Sequence, residues 1–308
     1  MTDSRSSDGI PIDAALLRSW PLPHPGDGGK DERGRIFVVA GAPQMPGAAI
    51  LCATAALRAG AGKLQIGTCA SVAAHVASAV LESLVVALDE TPSGAIALPS
   101  AAKIVEHANE ADALVIGPGL VDERASSELI TAVAAELDVA AVIDAAALAC
   151  FAGRPGAFAA LRGRAVLTPH AGEMATMLGL DRDAVESDPP RHAREAAQKF
   201  GTIVVLKGAT TYIADPSGAL YRNDHGDAGL ATSGSGDVLA GIIGGLLARG
   251  TEPLHAAVWG VSLHARAGAA LSDRIGLGFL ARELPGEIPP LMRALSAEAD
   301  RSPISSRA

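Results

Sequence analysis

Ile203-Val204-Val205-Leu206-Lys207-Gly208 is four consecutive apolar residues stopped by a lysine and a glycine. A strand with one wet face alternates apolar and polar side chains; this one does not. Both of its faces must be covered, as in a parallel sheet flanked by helices. The same texture recurs at Arg35–Ala40, Lys63–Thr68, Leu84–Leu88, Ala113–Ile116, Ala140–Ile143 and Ala165–Leu167. Between these runs lie alanine-rich helical stretches, Ala48–Ala59, Val72–Val80, Ala101–Ala108, Ala125–Leu137, Gly172–Leu178 and Arg191–Phe200. After Lys207 the order changes. Tyr212–Ala214 and Ala219–Arg222 flank the turn Asp215-Pro216-Ser217-Gly218, and helices are expected over Asp237–Ala248, Pro253–Ala270 and Glu287–Leu295. The pattern predicts an α/β domain over 35–299. A polar lead with one short helix and a Pro/Gly-rich loop occupies 1–34, and a frayed tail occupies 300–308.

In an open α/β sheet, ligands bind beyond the carboxyl ends of the strands, and the chemically suggestive residues collect there. Gly41 to Gly47 follow the first strand and Gly117-Pro118-Gly119-Leu120 the fourth; each reads either as an ordinary turn or as a place where a ligand approaches the backbone. Asp144 ends the fifth strand, where capping the following Ala145–Ala149 is favoured over a role near magnesium or substrate. His170, in Thr168-Pro169-His170, can donate a hydrogen bond to a ligand, and Glu173 can stabilise its own helix start. Lys207 either binds phosphate and orders a nucleotide loop, or lays its stem on apolar surface with its head in water.

The strongest local signal is Gly229-Leu230-Ala231-Thr232-Ser233-Gly234-Ser235-Gly236-Asp237-Val238-Leu239-Ala240-Gly241. A glycine-rich turn feeds an apolar helix there. The first turn of a helix has N–H groups without partners and a partial positive charge, which suits phosphate. Ser235 or Asp237 could be a simple cap. A carboxylate beside bound phosphate also suits a general base that takes a proton from a substrate hydroxyl.

Composition limits the alternatives. The chain has 308 residues, 49% hydrophobic and only 3% aromatic, so alanine, valine and leucine fill the core. A net charge of −9 argues against nucleic acid as a partner, so anionic ligands must be held by local amides and a few chosen cations. Cys52, Cys69 and Cys150 form no CxxC pair, and no apolar run is long enough to span a bilayer. The polar N-terminus lacks a signal-peptide core, which points to the cytoplasm.

Taken together, Gly47-Ala48, Gly117-Pro118-Gly119-Leu120, Leu167-Thr168-Pro169-His170, Val205-Leu206-Lys207-Gly208, Gly234–Gly241 and the run Ala56–Gly62 resemble the ADP/ATP-dependent NAD(P)H-hydrate dehydratases of the ribokinase-like superfamily. The resemblance spans roughly Gly34 to Leu295. It implies a three-layer ribokinase-like α/β fold, with a mostly parallel central sheet and helices on both faces. It also implies a repair reaction: the S epimer of hydrated NADH or NADPH is phosphorylated on its ring hydroxyl by ADP or ATP, and phosphate is then eliminated. Asp237 would be the base, with the N–H groups of Gly234, Ser235 and Gly236 stabilising the transferred group. Gly47, Ala48, Gly119, His170 and Asp237 would contact the hydrated dinucleotide. Lys207, Gly208, Ala209, Thr210 and Thr211, with Gly236, would bind the adenine nucleotide, with Mg2+ bridging its phosphates. A homo-oligomer such as a tetramer is implied, and with about 34 residues ahead of the first strand the epimerase that often accompanies this domain is expected as a separate protein.

The chain departs from the family pattern in places. Ala42 and Met45 stand where a serine and a tyrosine are usual, Ala146 replaces a second aspartate, Ala171-Gly172-Glu173 replaces Pro-Gly-Glu, and Ser235 replaces a threonine. Two other readings remain at this stage. One is a ribokinase-like kinase of a hydroxymethylpyrimidine or thiazole alcohol, which would stop at the phosphoester. The other is an inactive nucleotide-binding regulator.

Overall fold

The computed structural model describes residues 9–24, 29, 32–152, 161 and 163–300, the side chains at 297–300 excepted. Ten strands form a single sheet: β1 (Ile10–Pro11), β2 (Arg35–Val39), β3 (Lys63–Cys69), β4 (Ser83–Leu88), β5 (Ala113–Ile116), β6 (Ala140–Ile143), β7 (Ala165–Leu167), β8 (Ile203–Leu206), β9 (Thr211–Ala214) and β10 (Leu220–Asn223). Their order is β1-β10-β9-β8-β7-β6-β5-β2-β3-β4. From β4 to β8 every pairing is parallel; β9 is antiparallel to both β8 and β10. The short β9–β10 hairpin follows from the Asp215–Gly218 turn, where the Asp215 carboxylate accepts from the Ser217 and Ala219 amides.

The helices are α1 (Ala14–Ser19), α2 (Pro46–Arg58), α3 (Ala70–Ala79), α4 (Ala101–Asn109), α5 (Glu123–Glu136), α6 (Ala171–Leu178), α7 (Arg182–Ser187), α8 (Pro189–Phe200), α9 (Ser235–Ala248), α10 (Pro253–Ile275) and α11 (Leu284–Asp300). Unbroken apolar strands are explained by two cores, one on each face. Ile36 and Val38 of β2 join Val238, Ile242 and Trp259 in one; Phe37 and Val39 join Ile104, Leu129 and Met174 in the other. With so few aromatics, close backbone approach does much of the packing. A methyl on Gly241 would lie 2.1 Å from the Cys52 carbonyl oxygen, and one on Gly245 would lie 2.3 Å from that of Ala56. These glycines let α9 press directly onto α2.

Three features add to what the sequence pattern predicts. The lead is sewn into the domain. β1 pairs with β10, Trp259 Nε1 donates to the Trp20 carbonyl at 2.7 Å, and Arg249 donates to the Pro23 carbonyl at 2.6 Å. A two-residue strand carries too little pattern to be seen in sequence. Helix α7 was not expected; its six residues give no usable period. The stretch after Asp144 is a 3-10 helix, Ala145–Phe151. Residues 1–8 and the tail at 301–308 lie outside the described residues. Among the described residues no helix is long and apolar enough to cross a membrane.

Candidate active site

The parallel register aligns the strand ends. Val39 pairs with Ile116, Ile116 with Ile143, and Ile143 with Leu167. The loops that follow are therefore neighbours along one edge. The Gly41 amide donates to the Pro118 carbonyl at 2.8 Å, and the Asp144 amide to the Ile116 carbonyl at 3.1 Å. His170 and Lys207 form a parallel bridge, with the Lys207 amide on the Pro169 carbonyl at 2.8 Å.

Asp144 is almost fully buried and makes no capping bond. Its Oδ1 instead accepts from Thr168 Oγ1 at 2.6 Å and from Lys207 Nζ at 3.0 Å. The expectation of a cap is thus corrected. A buried carboxylate is stable only when paired, and a lysine at the end of β8, two strands away in the sheet, supplies the charged partner. Glu173 Oε2 lies 3.8 Å from the same ammonium. Burial pushes Lys207 down, but the carboxylates of Asp144, Glu173 and Asp237 outweigh it and its pKa stands above the usual lysine value. Lys207 is therefore a charged hub, not a lysine reaching for water.

Helix α9 begins without a cap. Gly234 is its N-cap residue at φ 89°, in the left-handed region, and no side chain bonds to the helix start. A methyl on Gly234 would lie 2.4 Å from Leu51 Cδ1, so the start of α9 is wedged against α2. The Ser235 amide donates to Thr232 O at 3.2 Å. The amides of Gly234, Gly236 and Asp237 have no acceptor among the described residues. The open donors thus extend to Asp237, while that of Ser235 is engaged. Asp237 itself has a pKa raised to about 7, by burial first and then by the charge of Asp144, against a lowering by Lys207. A carboxylate held there is half-deprotonated near neutrality, which suits a general base.

A cavity of about 780 Å³ opens at this helix start, lined by Lys207, Gly208, Ala209, Thr211, Ser235 and Gly236 and by the apolar Leu230, Leu239 and Val261. An adjoining cavity of about 670 Å³ shares Lys207, Gly208 and Ala209 and adds Thr210 and Tyr212. Of the five residues expected at the nucleotide loop, Lys207, Gly208 and Ala209 line both cavities, Thr211 the first and Thr210 the second. A third cavity, about 380 Å³, lies between Leu120, Ala145, Ala146 and Glu173. His170 borders all three. Its Nδ1 accepts from the Gly172 and Glu173 amides at 3.0 and 3.2 Å, so Nε2 is the ring donor, 3.6 Å from Glu173 Oε1. Gly119, at φ 65°, sits against Ala48: a methyl on it would lie 2.5 Å from Ala48 Cβ. Ala48 is thereby largely buried, while Gly47 stands open at the start of α2. Gly47, Ala48 and Gly119 line none of these three cavities.

One residue was missed in sequence. His264 of α10 points at the start of α9, with Nε2 3.0 Å from both the carbonyl oxygen and the hydroxyl of Ser235. Its only sequence signal is a lone imidazole inside the apolar stretch Val261-Ser262-Leu263-His264-Ala265. Among the described residues no group of three His, Cys, Asp or Glu side chains is placed to hold a metal ion.

A family model described as NAD(P)H-hydrate dehydratase matches residues 36–290. The chain is 46% identical to the ADP-dependent (S)-NAD(P)H-hydrate dehydratase of Xanthomonas campestris, over 92% of this chain and 96% of that one. It is 38% identical to the bifunctional NAD(P)H-hydrate repair enzyme Nnr of Moorella thermoacetica over 94% of its own length, but spans only 55% of that protein. Its fold is similar to the crystal structure of the ADP/ATP-dependent NAD(P)H-hydrate dehydratase of Bacillus subtilis co-crystallised with ATP/Mg2+. The TM-score there is 0.79 and the identity 28%, covering 94% of this chain and 99% of that one.

Proposed function

The chain belongs to the NAD(P)H-hydrate dehydratase family, and from that premise we propose that it restores hydrated NADH and NADPH, as the S epimer, at the expense of ADP or ATP. The observation that carries the reading is the pairing of an uncapped helix start with a carboxylate titrating near neutrality, Asp237.

Asp237 takes the proton of the ring hydroxyl. The oxygen attacks the terminal phosphoryl group, and the shortened nucleotide departs as the P–O bond to it breaks. The amides at the start of α9 stabilise charge on the transferred group. Inorganic phosphate then leaves from the ester with the C–O bonding pair, and the neighbouring C–H gives its proton to water as the ring double bond is restored. Lys207, held by Asp144, places a cation 3.5 Å from where a Gly236 side chain would begin, so it attends the same phosphates. His170 Nε2 and the Gly47–Ala48 and Gly119 loops hold the dinucleotide. The residues fit magnesium brought in on the nucleotide, since that ion keeps mostly water and phosphate oxygens as ligands and no group of three His, Cys, Asp or Glu side chains is placed to hold it among the described residues. Bound there, magnesium supplies charge neutralisation on the phosphates.

The kinase alternative shares Asp237 and the helix start. It is disfavoured because the family match and the 46% identical relative both carry the dehydratase description. The test is to supply hydrated NADH with ADP or ATP and follow dihydronicotinamide absorbance. Regeneration of NADH with release of inorganic phosphate is expected; accumulation of a stable phosphoester would sink the reading. We further place the enzyme in the cytoplasm as a homo-oligomer, with an epimerase as its functional partner. The last point is supported by bifunctional relatives in which the matched region is about half of the protein.

A further inference from the structure

We infer that the Ser235 hydroxyl donates a hydrogen bond to the phosphoryl group bound at the start of α9, and that His264 is the residue that positions it. The inference rests on the reading of this cleft as a nucleotide-phosphate site. The argument is one of proton accounting. A backbone carbonyl only accepts, so the His264 Nε2 that lies 3.0 Å from Ser235 O carries the ring hydrogen. The same Nε2–H lies 3.0 Å from Ser235 Oγ, so the hydroxyl is an acceptor toward histidine and keeps its own hydrogen. The Ser235 amide is already committed to Thr232 O. The hydroxyl hydrogen is thus the one donor of Ser235 without an acceptor among the described residues, and Ser235 lies on the wall of the 780 Å³ cavity.

His264 is suited to hold this arrangement steadily. Burial pushes its pKa down to about 4, against a raising contribution from the Ser235 bond, and the charge of Lys207 pushes it down further. The ring therefore stays neutral over the working range, and the hydrogen-bond direction does not invert with pH.

The test uses the full chain and measures the affinities of ATP and AMP by calorimetric titration for wild type, Ser235→Ala, His264→Gln, His264→Asn and the double variant Ser235→Ala/His264→Asn. Glutamine can place an N–H where Nε2 stands; asparagine is too short. We expect Ser235→Ala and His264→Asn each to lower ATP affinity about tenfold, the loss of one hydrogen bond to a charged group. AMP affinity should stay within about twofold of wild type, and His264→Gln should bind ATP about as wild type does. The double variant should be no worse than Ser235→Ala, because both act through one hydroxyl. Additive losses, equal losses for AMP and ATP, or a His264→Gln as weak as His264→Asn would overturn the assignment. A wild-type enzyme that binds ATP but regenerates no NADH would instead overturn the dehydratase reading, and leaves this titration intact.

Discussion

Two helices start at the same edge of the sheet, and they treat their free amides in opposite ways. At α6 the chain satisfies itself. His170 Nδ1 takes two amides of the first turn, and Glu173 Oε2 reaches back to the His170 amide at 2.7 Å. At α9 nothing of the kind occurs: the N-cap is a glycine, and the Gly236 and Asp237 amides have no acceptor among the described residues. A capping box removes donors that an anion would otherwise meet. The difference supports the proposal that phosphate binds at α9, while α6 presents an imidazole held at Nδ1, with Nε2 3.6 Å from Glu173 Oε1. It also shows that a polar residue at a strand end can serve either purpose, and that only its partners tell which.

The comparison is broken most severely at the base. Asp237→Asn is expected to lower kcat by about 10³-fold, in the range for loss of a general base. The same variant should unfold at higher urea concentration than wild type at pH 8. A carboxyl whose folded pKa of about 7 exceeds its unfolded value of 3.8 holds an extra proton in the folded state between those values. The native protein therefore loses stability as pH rises through that window, and the asparagine variant should lack this slope. Unchanged turnover, or an unchanged slope, would refute the role given to Asp237.

Next in size is converting α9 into a second α6. Gly234→Asn, made in a Leu51→Ala background that relieves the 2.4 Å contact its Cβ would meet and compared with Leu51→Ala alone, keeps a residue that tolerates positive φ and adds a polar side chain beside the open amides. Self-capping should cut turnover about 100-fold, as removal of an oxyanion donor does, while circular dichroism shows the helix content preserved. Full activity would mean that the open amides do not bind phosphate.

A smaller effect is read in pH alone. Between pH 5 and 7, kcat/KM should rise as Asp237 deprotonates and then level above about 7. A rate flat from pH 5 upward would exclude a base titrating near neutrality.

The smallest effect is expected at the closed helix start. Glu173→Ala removes one arm of the capping box and should cost about 1 kcal/mol of unfolding free energy, measured by urea denaturation. Turnover should change by less than the Gly234 substitution changes it. A larger loss of turnover than of stability would move Glu173 from the scaffold into the chemistry through its contact with Lys207.

Much of this could be read before folding. The strands Ala113–Ile116, Ala140–Ile143 and Ala165–Leu167 stand where their apolar runs place them, because a strand buried on both faces needs no partner information to be recognised. The helix start at Gly234–Asp237 was equally legible, since glycines around a serine before an apolar run have few other uses. Asp144 was misjudged, and His264 was passed over. Both depend on residues remote in sequence: Asp144 meets a lysine 63 positions away, and His264 meets a serine 29 positions away.

What the sequence determined by itself is the class of sheet, together with which loops stand at the carboxyl ends of its strands. Those follow from local pattern and from the rule that strand ends face the cleft. What only the tertiary structure decided is the protonation logic of the site. It shows that Asp144 pairs with Lys207 instead of capping a helix, that Asp237 is lifted to about 7, and that a buried imidazole stands 3.0 Å from the Ser235 hydroxyl. Proton affinities depend on burial and on charges a few ångströms away, and distances between remote residues exist only once the chain has folded.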